Sequence, residues 1–433
     1  MNRYLIYICI LFTQTIFAQT FLFSTLKTND IAYSSLTDKI YASLDEGNEQ
    51  YGNSLAIINP ASGIIESTLQ FENEPTVMAL SADEQYLYIA FKNHNVIKRY
   101  NVTNDIVDLD INLGTFTWTG EPLVKYVRDV EVNPADHNKI AVTLYYESET
   151  LSAITLGFEY YNNDELLFGY PEPFNDYAVQ KIKFIDDHTI FGHSGNSIPS
   201  PLTVFNIESS NEISVVADYE DMPNPHPFGI DSDFIHLNNS LIFKNGKTVN
   251  LENNIPSLGN TFSAKGSLVY NNEDNLVCFA SRYDQVVYMS SLGYFSTVKL
   301  NRFNTDFTSY DSLQIPGVGT PISIINCGEG CMAVNIKGED SNENFTIIRD
   351  LPLADKLFNK GKIIVYPNPV NNILNLQGDL TVKQISLTDC SGKSIFVSFN
   401  DNKVDVSHLS NGLYIVKITD ENDNIYTNKF VKN

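Results

Sequence analysis

From residue 20 to residue 350, short apolar runs alternate with polar turns too frequent for helices. Asp30–Ser43 followed by Ser54–Gly63 sets a unit. The unit returns at Pro75–Ala90 with Asn95–Asn104, and again at Val127–Val142. Weaker copies are Val179–Phe184 with His188–Phe191, Pro227–Ile230 with Leu241–Phe243, Leu276–Phe279, and Ile322–Ala333. The period is about 40–50 residues, that of four-stranded propeller blades. In each unit the first strand reads as small and apolar, suited to a crowded central channel. A turn of Asp, Asn or Pro follows, and then a second strand that packs between neighbours. One sheet cannot bury both faces, so the units must stack around an axis. About seven units fit the length. Phe21–Leu26 is a strand without a unit, and Ile322–Arg349 shows only three strands. The pattern therefore predicts that the N-terminal strand completes the last blade, which removes a free edge. A series of β-sandwiches is the competing arrangement.

After Leu351–Gly361, which reads as a linker, the pattern changes. Short alternating runs (Ile373–Leu376, Gln384–Leu387, Ile395–Val397, Val404–Val406, Tyr414–Ile418) are separated by turns such as Asp389–Gly392 and Ser410–Gly412. Strands of period two with regular turns predict a small β-sandwich. The fold class is thus all-β, about seven blades followed by a sandwich, divided as 1–18, 19–350, 351–361 and 362–433.

The motifs of the last segment resemble the C-terminal sorting domain of the type IX secretion system of Bacteroidetes-type bacteria. They are the Tyr366-Pro367-Asn368-Pro369 opening, the Asp389, Gly392, Lys393 turn, the Gly412 and Tyr414 element after Leu409-Ser410, and the closing Lys429–Lys432. The resemblance implies passage through the periplasm, recognition by the type IX machinery, and release or attachment at the outer surface. The first three units are similar to YVTN-type propellers, related in shape to WD40 propellers. Lys39–Ser43, Ala56–Pro60, Leu80–Asp83 and Tyr86–Ala90 carry that likeness.

The chain opens with Arg3, an apolar stretch Leu5–Phe12, and Ile16-Phe17-Ala18 before Gln19. This reads as a signal peptide cut between Ala18 and Gln19. The stretch is too short to span a bilayer, and no later segment reads as a transmembrane helix. Composition adds to the picture. The chain carries 28 Lys+Arg against 52 Asp+Glu, a net charge of −24. Residues 19–358 hold 19 basic and 45 acidic residues, whereas residues 360–433 hold eight and seven. Acidity argues against a nucleic-acid partner.

Catalytic motifs are scarce. The seven histidines form no H-E-x-x-H pattern, and neither a G-x-S-x-G elbow nor a P-loop occurs. No cofactor is expected. Calcium is the one ion the composition allows, at Asp340–Asn344, where a solvated turn is the plainer reading. Cys327 and Cys331 flank a three-residue turn and are candidates for a disulfide in an oxidising exterior. Cys278 reads as a buried strand residue, and Cys390 as a turn residue. Asp311-Ser312-Leu313 resembles a short O-glycosylation acceptor of Bacteroidetes. Loops leading into the inner strands hold Trp118, Tyr126, Arg128, Asp129, Tyr177 and His226, a mixture suited to glycan or peptide recognition. The competing reading has these aromatics covering a blade edge and the charges pairing with neighbours. The function that follows is a secreted or surface binding scaffold for a glycan, a peptide or a surface protein, leaning away from catalysis. A propeller hydrolase or lyase using His226 and Arg128, and a structural surface-layer component, are the alternatives.

Overall fold

The computed structural model describes residues 19–118, 121–148, 151–169, 179–193, 202–218, 233–252, 255–288, 292–315, 319–338 and 344–351 of the first unit. In the C-terminal unit it describes 364–377, 382–389, 394–397, 399–400, 403–420 and 425–433. The chain divides into two compact units, Met1–Pro352 and Leu353–Asn433.

The first unit opens with β1 (Thr20–Ser24). Blade 1 is β2 (Thr28–Ser34), β3 (Lys39–Leu44), β4 (Ser54–Ile58) and β5 (Ile65–Gln70). Blade 2 is β6 (Pro75–Leu80), β7 (Tyr86–Phe91), β8 (Val96–Asn101) and β9 (Ile106–Asn112). A two-stranded hairpin, β10 (Thr115–Trp118) and β11 (Glu121–Val124), precedes blade 3. Blade 3 is β12 (Tyr126–Val132), β13 (Lys139–Ser148), β14 (Leu151–Asn162) and β15 (Glu165–Gly169). Blade 4 is β16 (Lys181–Phe184), β17 (Thr189–His193), β18 (Leu202–Ile207) and β19 (Ile213–Asp218). Blade 5 is β20 (Phe234–Leu237), β21 (Ser240–Phe243), β22 (Lys247–Glu252) and β23 (Ile255–Thr261). Blade 6 is β24 (Ser267–Asn271), β25 (Leu276–Tyr288), β26 (Leu292–Asn304) and β27 (Ser309–Ile315). Blade 7 holds β28 (Thr320–Asn326), β29 (Met332–Lys337) and β30 (Asn344–Arg349), with β1 as its fourth strand.

All seven sheets are antiparallel meanders, as the repeat predicts. The closing pairing runs from Thr20↔Arg349 to Ser24↔Phe345. The second strands are deeply buried; Ile40, Ala42, Leu87, Ile89, Ile140, Val142, Val277 and Phe279 have no exposed surface. These residues meet the flank of the preceding blade, so the core is a ring of inter-blade layers rather than one centre.

Small polar groups fasten neighbouring blades. Ser43 Oγ donates to the Thr76 carbonyl (2.8 Å), Thr143 Oγ1 to Gln180 (2.9 Å), and Asn335 Nδ2 to Thr28 (2.8 Å). In each case a second strand grips the start of the next blade's first strand. Cys327 and Cys331 are disulfide-bonded in the turn between β28 and β29, buried beside Ile31 and Phe345 where blade 7 meets blade 1. Cys278 is fully buried on β25.

In the C-terminal unit, β31 (Ile364–Tyr366), β32 (Ile373–Gln377), β33 (Val382–Asp389), β34 (Ser394–Phe396), β35 (Phe399–Asn400), β36 (Lys403–Asp405), β37 (Gly412–Asp420) and β38 (Ile425–Lys432) form two four-stranded sheets. Their shared core includes Leu374, Leu387, Val404, Val416, Ile418 and Phe430. This is the sandwich that the alternation predicts.

Candidate functional site

In blades 1–6, first strands start on the face that also carries the turns from second to third strands. On this mouth face β25 and β26 outrun their blade: they pair from Leu276↔Asn304 to Tyr288↔Leu292, while β24 stops opposite Ala280 and β27 opposite Val298. The β10–β11 hairpin rises on the same face. Tight turns occupy the other face.

The first strands enclose an axial cavity of about 670 Å³. Here the sequence reading needs correction, because the first strands are not uniformly small and apolar. On β12, Val130 and Val132 are buried between blades, while Asp129 and Glu131 line the cavity. On β16, Ile182 is buried and Lys181 and Lys183 line it. The opposed charges sit at matching positions and form rungs. Lys181 Nζ is 2.9 Å from Asp129 Oδ1, Lys183 pairs with Glu131, and Lys244 Nζ is 3.6 Å from Asp233 Oδ2. Asp129 also accepts from the Ile182 amide (3.1 Å), and Asp30 on β2 accepts from the Met78 amide (2.9 Å). The paired charges are therefore on blades 3–5, while Asp30 of blade 1 and Lys337 of blade 7 add single charges to the lining. Met78, Leu80, Leu268, Ile322 and Ile325 line the wall supplied by blades 2, 6 and 7.

Burial pushes the Asp30 carboxyl up to about 6, against the opposing backbone donors Met78 and Ile31. Burial also pushes Glu131 up to about 7, in spite of Lys183. Lys181 and Lys183 stay protonated well above the usual lysine range, because the pull of neighbouring carboxylates outweighs burial. Asp233 is held well below the carboxylate range by Lys181, Lys183 and Lys244. These side chains lie deep in the molecule but keep 20% to 31% exposure for Glu131, Lys183 and Lys181, so channel water reaches them.

A stability dependence on pH follows. Asp30 and Glu131 hold protons more tightly folded than unfolded, so each makes its full contribution below about pH 4 and loses it as pH rises to about 6 and 7. Each should contribute on the order of 1–3 kcal/mol after allowance for water in the channel. The melting temperature is expected to rise as pH falls from 8 to 5. Asp233 has the opposite sign, and its contribution is lost only in strong acid. The check is a melting series on the wild type and Asp30→Asn. An Asp30→Asn slope equal to wild type would contradict the assignment.

Of the six residues proposed from sequence, Asp129 lines the cavity. Tyr126 and Arg128 gather instead at the rim of blade 3. The Tyr126 ring lies 5.6 Å from Tyr145, and the Arg128 guanidinium stands 5.0 Å over the same ring. Arg128 Nε is buried with no hydrogen-bond partner among the described residues. Trp118 ends β10 opposite Glu121, and its side chain is outside the described residues. Tyr177, His226, Cys390, Ala18 and most of the calcium candidate Asp340–Asn344 are also outside them. Among the described residues no cluster of three or more His, Cys, Asp or Glu could hold a metal. Ser312 of the glycosylation-like triplet bonds Asn301 (3.0 Å), and Asp311 pairs with Arg302. A second concavity of about 470 Å³ lies between the outer strands of blades 1 and 2, beside Phe71, Phe91 and His94.

In the C-terminal unit, the opening and closing motifs are stitched together. Asn368 Oδ1 accepts from the Val431 amide (2.9 Å), and its Nδ2 donates to Lys429 O (3.2 Å). The Val370 amide donates to Val431 O (2.8 Å). Tyr414 stacks on Phe430, and its hydroxyl donates to Ser410 O (2.9 Å). Asp389 ends β33 opposite Tyr414, and Gly412 opens β37. Gly392 and Lys393 are outside the described residues.

Residues 364–433 match the secretion system C-terminal sorting domain family. The first unit is similar to the β-propeller domain of Cps50 (Swd1) from Myceliophteria thermophila. That likeness has a TM-score of 0.50 and 10% identity, and covers 76% of this chain and 99% of that one. The chain is a β-propeller with a type IX sorting domain. The WD40 repeats of RRP9 are also similar, at a TM-score of 0.47 and 16% identity, covering 76% of this chain and 97% of that one. No curated protein matches the sequence. The propeller is thus exported by the type IX system to the cell surface or the medium, and its sorting domain meets the secretion machinery. Among the described residues no helix is long and apolar enough to cross a membrane.

Proposed function

We propose that this exported propeller is a non-catalytic binding scaffold that seats a peptide segment in its axial cavity. The observation that carries the reading is the division of the cavity wall into a ladder of Asp129–Lys181 and Glu131–Lys183 rungs and an aliphatic side. A peptide offers both chemistries along its length: polar backbone groups and charges for the ladder, aliphatic side chains for the opposite wall. Among the described residues no aromatic ring lines the cavity, so stacking of a sugar ring has no support from them. The lysines and their carboxylates are already engaged with one another, which speaks for recognition over proton transfer.

The test is a thermal-shift screen of the full chain with unstructured peptides, oligosaccharides, lactones, and calcium with a chelator control. A peptide at ~100 times its dissociation constant should stabilise by about 2.7 kcal/mol. Lys183→Met should abolish that shift. Shifts with oligosaccharides alone would overturn the peptide reading. Turnover of a lactone, ester or glycan that Arg128→Ala or His226→Ala removes would overturn the non-catalytic one.

A further inference from the structure

We propose that the outward face of the β37–β38 hairpin is the surface by which the secretion machinery grips the sorting domain, and that the machinery presents there an apolar patch edged by carboxylates. The proposal stands on the sorting-domain match and is independent of what the propeller binds.

Strand β37 alternates strictly. Tyr414, Val416 and Ile418 point into the core, and Leu413, Ile415 and Lys417 point outward. On β38, Phe430 and Lys432 are buried, and Lys429 and Val431 face outward. The register places Leu413 opposite Val431 and Ile415 opposite Lys429. Residues opposite each other in an antiparallel pair have side chains in contact range. Leu413, Ile415 and Val431 therefore form one patch, and they are 49%, 45% and 38% exposed. An antiparallel sheet with one solvated face normally places polar residues outward. The neighbouring strand obeys that rule: β33 turns Gln384, Ser386 and Thr388 to the same face, opposite Thr419, Lys417 and Ile415. On β37 and β38 the sequence could have used polar residues at these positions without cost to the core.

Lys417 and Lys429 edge this patch and have no ion-pair partner among the described residues. Residues 360–433 carry eight basic against seven acidic residues, while residues 19–358 carry 19 against 45. The sorting domain is thus free of the acidity that would keep a partner's carboxylates away. The family match supplies the occupant, because a sorting domain must be held by the export apparatus.

The experiment follows the full chain in the bacterium that exports it, measuring protein in the medium and on the surface against protein held in the periplasm. The triple variant Leu413→Ser, Ile415→Ser, Val431→Ser is expected to lower the exported share at least tenfold, with periplasmic accumulation. Lys417→Glu with Lys429→Glu alters only exposed charges and is expected to lower export several-fold. Gln384→Ala with Ser386→Ala, on the polar strand of the same face, is expected to export normally. Melting of each purified protein separates lost recognition from lost folding. Export of a folded triple variant and of the charge variant at wild-type levels would overturn the proposal. So would concentration-dependent sedimentation showing that the patch joins two copies of the chain and that only this association is lost.

Discussion

Removal of Thr20–Ser24 is expected to cost the propeller about 3–5 kcal/mol and to make it aggregate. Three losses combine. The five-residue pairing with β30 disappears. Leu22, which packs between the Gly63 turn of blade 1 and Ile347, no longer covers that seam. Leu22 is partly buried, so its loss costs less than the ~2–5 kcal/mol of a fully buried leucine. The Thr20 to Asp350 hydrogen bond (2.9 Å) also goes, on an exposed rim where it adds little. Finally, β30 becomes an open edge that can pair with another chain. Chemical denaturation and light scattering of the truncated protein test this. A truncated propeller as stable and monodisperse as the parent would show that inter-blade bonds such as Asn335 to Thr28 close the ring unaided.

Lys125→Met is expected to destabilise by about 3–5 kcal/mol, the range for breaking a buried ion pair from one side. Lys125 lies just before β12 and is 5% exposed. Its Nζ is 2.7 Å from Glu159 Oε1, and Glu159 is 1% exposed. The Tyr161 hydroxyl donates to the other oxygen at 2.5 Å, and burial with the nearby Glu159 charge pushes the phenol well above its usual range. Without the ammonium, the carboxylate has one neutral donor in a dry site. Addition of Glu159→Gln should restore part of the loss, because a neutral amide needs no counter-charge and still accepts from Tyr161. A double variant no more stable than Lys125→Met would show that the lysine's packing, and not its charge, is what the fold needs.

The blades were legible because their second strands are continuous apolar runs at a regular interval, as in Tyr86–Phe91. The closing strand was legible as a surplus at one end and a deficit at the other. The ladder was present in the sequence but read wrongly. Val127-Arg-Asp-Val-Glu-Val and Val179-Gln-Lys-Ile-Lys-Phe share one alternation, with acids in one copy and lysines at equivalent places in the next. Period-two charges of opposite sign in consecutive units are the signal that finds it. Other features have no local signature. Lys125 and Glu159 are brought together by the fold across 34 positions, and the fold also brings Arg302 beside the buried Asp274. The β10–β11 hairpin gives no strand signal, because Thr115–Val124 is short and polar at its centre.

The pairing of Thr20–Ser24 with Phe345–Arg349 also sets an order in time. A polypeptide crosses a membrane and emerges from synthesis amino end first, so the strand that seals the ring arrives before every blade it will seal. It must wait, unpaired, until some 320 later residues have followed. During that interval the nascent molecule carries a sticky end with no legitimate mate, and any neighbouring chain in the same state is a rival for it. The sorting domain follows Arg349 in the chain, so the signal for final export is completed only after the last blade is available for closure. Position along the chain thus works as a clock: the handle for departure is made after the parts it must carry.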